Sequence, residues 1–397
     1  MADVIWRGLQ GITRARRSYT ANAAVGDTYS LIHNQKTVRY TAVSGDTTAL
    51  VAAGLASAAT SSGTAEWSEL LASSAGAVVT ILGPADGTPF TLTTAVTGSA
   101  TLTAGTPAAG VSPHDLADAA NYAGGALPVN SDTLTFPADG ADVRTGLTAL
   151  TAVTGLVIRR DAGGPVVGLP DYRSRGYREY RPTFLEVPAA TVLVHLSARD
   201  RAGAFRLDCD ATATVVSVIG EQAGRLDGEQ VEVKGGTGAC AVRLANAAVA
   251  VVGGAVAVLA ADGGVVRVEA GVTLGAVELK DTTARIGATW TALDVTGGQV
   301  DVMRAATGPL TLRAGTVNWK GSGNFNAPQL GVGAVLSTQG GADPIAVTGV
   351  IVKLGGNAVL DDPFTRITRP YSVDLLGSGP SGLNVGPDAR ITVAARP

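Results

Sequence analysis

From Thr191 to Leu360 short apolar runs recur about every ten residues, separated by Gly, Asp or Asn. The runs TVLVHL, AFRLDC, ATVVSVIG, EQVEVKG, CAVRLAN, VVRVEAG and TALDVTGG set apolar side chains at alternate positions. Successive side chains of a strand point to opposite faces, so this alternation predicts a long succession of strands, each with one buried face. The run Ala247 to Ala261 is more continuously apolar but short, and it contains Gly253-Gly254. A membrane-spanning helix needs about 20 apolar residues, more than this run holds, and its β-branched content suits strands.

Earlier in the chain the pattern differs. GDTYSLIHN and KTVRYTAVS alternate as two strands joined at His33-Asn34-Gln35-Lys36, a hairpin turn. Asp46-Thr47-Thr48 can cap a following helix, in which Leu50, Val51 and Leu55 are the apolar positions and Ser61-Ser62-Gly63 is the stop. SELLAS, AVVTILG and TPFTLTTAV supply three more strands. The predicted order is ββαβββ, a small α+β domain over 25–98. Residues 1–24 read as an arm, either frayed or docked on a neighbouring subunit. Ile5 and Trp6 would be its apolar anchors, and Arg14, Arg16 and Arg17 its basic stretch. Residues 99–112 read as a linker, 113–190 as a cap and first coils, 191–360 as the main strand array and 361–397 as a C-terminal cap.

Composition sharpens this picture. Gly accounts for 52 of 397 residues, aromatics for 5% and charged residues for 16%, against roughly 25% in an average soluble protein. Small side chains suit tightly stacked coils whose backbones approach closely. A net charge of −3 gives no general pull toward nucleic acid or an anionic membrane. The N-terminus shows no apolar stretch of the length a secretory signal requires, so the expectation is a soluble protein made in the cytoplasm and not exported by the usual route. Cys209 and Cys240 are too few for a disulfide framework or a zinc site and read as buried thiols. A coil as long as the interval between them would stack them within bonding reach.

Catalytic signals are weak. His33, His114 and His195 are widely separated and read as structural. The GxGxxG at Gly377, Gly379 and Gly382 is interrupted by Pro380, and Leu383 to Pro387 is not helical, so it is no dinucleotide loop. A glycan depolymerase would need two carboxylates roughly 5 to 10 Å apart. Asp208, Asp210, Asp227, Glu229 and Glu232 are the candidates, but aromatic platforms for sugar rings are sparse around them. The expectation is therefore no enzyme, no cofactor and no metal. The array breaks at GGPVVGLPDYRSRGYREYRPTFLEVP, where Tyr172, Arg173, Arg175, Tyr177, Arg178, Tyr180 and Arg181 interleave. Arg and Tyr are enriched at interface hot spots, which favours a subunit interface; nucleic-acid stacking and a solvated loop are the other readings.

Two stretches carry a resemblance. Gly26, Asp27, Tyr29, Leu31, Tyr40, Thr41, Gly87, Pro89, Phe90, Thr91 and Leu92 resemble a small module common in phage virion proteins. Leu116, Ala119, Asn121, Tyr122, Gly124, Gly125, Pro128, Asp132 and Phe136 resemble the opening motif of bacterial and phage right-handed β-solenoids, with Leu116 and Tyr122 where Trp is usual. A short helix over 113–120 would there cover the first coil. The resemblance implies a mainly β chain, a right-handed parallel β-helix (β-solenoid) preceded by the α+β module. It further implies a structural protein on the surface of a tailed-phage virion, a capsid decoration protein or head fibre. Attachment would be through the N-terminal region to phage capsid or other virion proteins, as a homotrimer, with no nucleic acid and no membrane insertion. The alternatives are a tail fibre or tailspike-type adhesin binding host-surface glycan, with or without depolymerase activity, and a bacterial cell-surface adhesin.

Overall fold

The alternating runs become parallel strands. The computed structural model describes residues 2–150, 153, 155–169, 183–187, 190–196, 205–209, 215–220, 230–236, 240–304, 308–341, 344–353, 357–367, 370–376 and 381–393. Through the central coils each strand pairs not with the next strand in sequence but with the next but one, always parallel. That pairing builds two parallel columns, one strand of each per coil, which is the topology of a solenoid.

Inside the first column, Leu156, Val192, Val216, Val242, Leu259, Val277, Leu293 and Leu310 stand in register one above the next, and all are buried. The second column carries the matching ladder Leu207, Val233, Val251, Val268, Ile286, Val302 and Trp319. The period-2 alternation is what holds this arrangement, since each buried aliphatic position contributes about 1.5–3 kcal/mol. Coil length is uneven. Arg206 and its in-register partner Glu232 are 26 positions apart, as are Asp208 and Lys234. Further along the stack the coils tighten: Asp262 and its partner Lys280 are 18 positions apart, and Asp301 and Asn318 are 17.

Both ends depart from expectation. In place of an arm, Asp3–Ile5 adds a parallel strand beneath Thr133–Phe136. Trp6 is fully buried, donates from Nε1 to the Ala141 carbonyl at 2.6 Å and meets Tyr122 edge-on at 5.2 Å. An otherwise open coil end offers this indole an apolar seat within its own chain. The helix expected over 113–120 is a series of turns leading to a 3₁₀ helix, Ala119–Asn121, capped by Asp118. At the other end the segment after 360 is not a separate cap. Val359–Asp362, Tyr371–Asp374, Leu383–Val385 and Ile391–Val393 continue both columns.

Residues 15–104 gather around a second, separate apolar cluster that includes Tyr29, Leu31, Leu55, Trp67, Ile81 and Phe90. Two antiparallel sheets enclose it. One runs Leu71–Ala75, Val78–Leu82, Arg16–Ala21, Leu102–Ala104; the other runs Lys36–Thr41, Thr28–His33, Thr93–Val96. The helix Thr48–Thr60 packs against them, its first turn capped by the Thr47 hydroxyl, which accepts from Leu50 N–H. Gly54 lets the helix approach Tyr40, where a Cβ would fall 2.2 Å from the ring. The strands Arg16–Ala21 and Leu102–Ala104 lie in the expected arm and linker. Both complete one sheet: Arg16–Ala21 pairs the open edge of Val78–Leu82, and Leu102–Ala104 pairs the other edge of Arg16–Ala21.

Candidate functional site

The surface chemistry of the solenoid comes from the outward positions of its strands, and stacking decides what each one meets. On the second column Asp301, Asn318, Ser337, Asp361 and Asn384 stand in register. Bonds join them in two groups: Asn318 Nδ2 donates to Asp301 at 2.9 Å, while Ser337 Oγ donates to Asp361 at 2.9 Å and Asn384 Nδ2 to Asp361 at 2.6 Å. Lys320 Nζ adds a 2.5 Å bond to Asp301. Partial burial pushes the Asp301 carboxyl up, but these bonds and the Lys320 charge outweigh it and hold the group below the usual carboxylate range.

The first column carries opposite charges one coil apart. Lys280 reaches Asp262 at 2.8 Å, and Arg313 grips Asp294 with Nε and Nη2. Beside these pairs lies an open groove of about 350 Å³ lined by residues that include Arg243, Ala260, Asp262, Glu278, Lys280 and Asp294. Glu278 and Asp294 stand opposite each other on adjacent coils.

The expected residues fall in several places. Asp208 is bonded to Lys234 at 2.6 Å and Glu232 to Arg206 at 2.9 Å, each pair spanning adjacent coils. Both carboxylates are thus engaged by a cation from the neighbouring coil. Asp210, Asp227 and Glu229 lie outside the described residues, as do Tyr172, Arg173, Arg175, Tyr177, Arg178, Tyr180 and Arg181. Ile5 is half-buried and Trp6 wholly so, in the chain's own first coil rather than on a neighbour. Arg14 donates to the Gly83 carbonyl, Arg17 lies 5.9 Å from the Phe90 ring centre, and Arg16 is exposed on its strand. These residues brace or border the antiparallel sheets and do not converge on one point.

His33 is buried, donates from Nδ1 to the Thr91 carbonyl at 2.9 Å, and sets Nε2 2.9 Å from Glu69. Trp67 and Phe90 pack edge-on around it. His114 Nδ1 lies 2.7 Å from the Asp142 carbonyl. Among the described residues, no group of three or more His, Cys, Asp or Glu could hold a metal ion. Among them, too, no helix is long and apolar enough to cross a membrane.

Sequence reasoning missed the charge pairs across coils. In the tighter part of the stack, complementary charges fall one coil apart: Asp262 and Lys280 are separated by 18 positions, and Asp294/Arg313 and Asp301/Lys320 by 19. That recurring interval between opposite charges is the signal that could have found them. No protein-family model matches the chain, and no curated protein matches it.

Proposed function

We propose that this chain is a structural protein of a tailed-phage virion, displayed on the particle surface as a capsid decoration protein or head fibre. The observation that carries the reading is the two-part build. A small α+β unit with its own apolar cluster precedes a stack of coils, and outward side chains on adjacent coils of that stack bond one another at Asp301/Asn318, Ser337/Asp361, Asp262/Lys280 and Asp294/Arg313. Such a stack is a stiff spacer and surface, since each coil is fixed by its neighbours above and below. The α+β unit, with Arg16 exposed and Arg14 and Arg17 engaged at its edge, serves as the attachment module. The solenoid winds right-handed, the hand that strand twist imposes on parallel crossovers. The N-terminal region attaches the chain to the particle, and the chain is a homotrimer.

The groove edged by Arg243, Asp262, Glu278, Lys280 and Asp294 favours a second reading, an adhesin of the tail-fibre type whose outer face holds a host glycan. Quantifying the protein in gradient-purified particles decides between presence and absence, and its mass in solution tests the trimer. The expected results are a fixed copy number per particle and a mass of three chains. Absence from washed particles, or a stable monomer, would contradict the respective claim.

A further inference from the structure

His33 ends the strand Thr28–His33 and turns inward, two positions after Leu31, which is buried on the same face. Two remote segments meet its ring. Thr91 sets its carbonyl 2.9 Å from Nδ1, and Glu69, just after the short helix Ala65–Ser68, sets Oε1 2.9 Å from Nε2. The His33 side chain is wholly buried and that of Glu69 is only 7% exposed. Trp67 and Phe90 shut the ring in edge-on, at 6.0 and 6.1 Å between centres. Trp67 is itself tied to the hairpin, since its Nε1–H donates to the Lys36 carbonyl at 3.1 Å. These donors and acceptors fix the proton count. A carbonyl only accepts, so Nδ1 carries a hydrogen. A neutral ring would then turn a bare lone pair at Nε2 toward an ionised carboxylate, two acceptors at hydrogen-bonding distance with nothing between them. One proton has to lie on that contact. Either imidazolium donates to carboxylate, or a carboxylic acid donates to neutral imidazole; both arrangements hold one proton and no net charge, the form that burial favours.

We propose that His33 and Glu69 form a proton-held latch that fastens the hairpin to segments 65–70 and 88–92 of the α+β unit and lets go as pH rises above neutrality. In the unfolded chain the same two side chains hold one proton between roughly pH 4.3 and 6.5, the ordinary values of Glu and His, and give it up above that range. The folded pair keeps its proton past the upper bound, because losing it leaves a buried charge on Glu69 facing a lone pair. Above about pH 6.5 the folded chain therefore binds more protons than the unfolded one, and stability falls with rising pH until the folded pair is deprotonated too. Below about pH 4.3 the unfolded chain takes up a second proton, and the advantage fades there as well. The other charged groups on the packed elements have places of their own. Lys36 lies 4.0 Å from the buried Glu66 and Asp86 lies 3.5 Å from Arg144, while Arg17 lies against the Phe90 ring and Arg39 is exposed. The latch belongs to the interior of this unit and does not depend on where the chain is attached.

The test unfolds the full chain in urea at a series of pH values from about 6 to about 9, spanning the ordinary histidine range and beyond it. Opening of the hairpin is read by pulsed hydrogen exchange and mass spectrometry on peptides covering 28–41, every pulse being given at one fixed pH. Glu69→Gln is the matched variant: its amide N–H can donate to a neutral Nε2, so the ring stays bonded without the extra proton. Above about pH 7 the unfolding equilibrium constant of the wild type should rise more steeply than that of Glu69→Gln, by up to roughly tenfold per pH unit for one proton. His33→Gln, which has no titrating ring, should lose the extra slope as well. A second measurement needs neither variant to fold. Nitrogen-15 and carbon-13 NMR of wild type labelled at His and Glu, near neutral pH, should show either both His33 ring nitrogens protonated or Glu69 as the acid. Equal pH dependence in wild type and Glu69→Gln, or a neutral His33 ring beside an ionised Glu69, would overturn the proposal.

Discussion

Asp362 is wholly buried and accepts from three donors: Thr338 Oγ1 at 2.6 Å, Arg366 N–H at 2.9 Å and Ile367 N–H at 3.1 Å. Arg366, itself buried, donates in turn to the carbonyls of Trp319, Thr338 and Gly321. These bonds tie three successive coils where coil length rises again, from the 17 positions between Asp301 and Asn318 to the 24 between Ser337 and Asp361. Replacing Asp362 by Ala strands those donors, and a loss of about 3–5 kcal/mol in urea unfolding is expected. Asp301 has a pH signature. Its pKa lies below the unfolded value, so its contribution is complete above roughly pH 4 and is lost as pH falls through the folded pKa. Melting curves of wild type and Asp301→Asn should therefore differ most near neutrality and converge in strong acid; a gap that widens on acidification would contradict the assignment. None of these partners was legible in the sequence. A residue such as Asp208 shows its own charge, but its partner Lys234 is identified only once the coil length is known.

At the scale of elements, the alternation was legible because it is local: Val192, Val194 and Leu196 face inward wherever the strand is placed. The hairpin was legible for the same reason. His33 pairs Lys36, and the two turn residues Asn34 and Gln35 have φ of 45° and 63°, the left-handed pair that a two-residue I′ turn requires. Gln35 is strained in that conformation, so Gln35→Gly should stabilise the chain by roughly 1 kcal/mol, read as a higher urea midpoint. Leu259 sits mid-ladder between Val242 and Val277, and Leu259→Ala should cost about 2–5 kcal/mol by the same measurement. What the sequence hid were elements whose partner is remote. The strand Asp3–Ile5 pairs with a strand that follows the whole α+β unit, and Arg16–Ala21 becomes a strand because Val78–Leu82 and Leu102–Ala104 flank it. Short basic or small-residue stretches carry no sign of such distant edges.

For the whole molecule, the parallel stack from Thr133 to Ile391 rises by roughly 4.8 Å per coil, a length of about 60 Å. The first coil is closed by Trp6 and Tyr122, and the α+β unit is threaded between the strand Asp3–Ile5 and the turns that lead into that coil. The N-terminal unit and the last coil therefore mark the two ends of the stack, which gives the displayed-spacer reading a direct geometric test. Purified particles would be imaged by electron cryomicroscopy with one gold label near residue 43, in the exposed loop before the helix, and, in separate samples, one near Val393. The expected result is gold at residue 43 close to the particle surface and gold at Val393 several tens of ångströms further out, at a fixed number of sites. Labels scattered in the background, or the Val393 label lying against the particle while residue 43 points outward, would contradict the attachment and display of this chain.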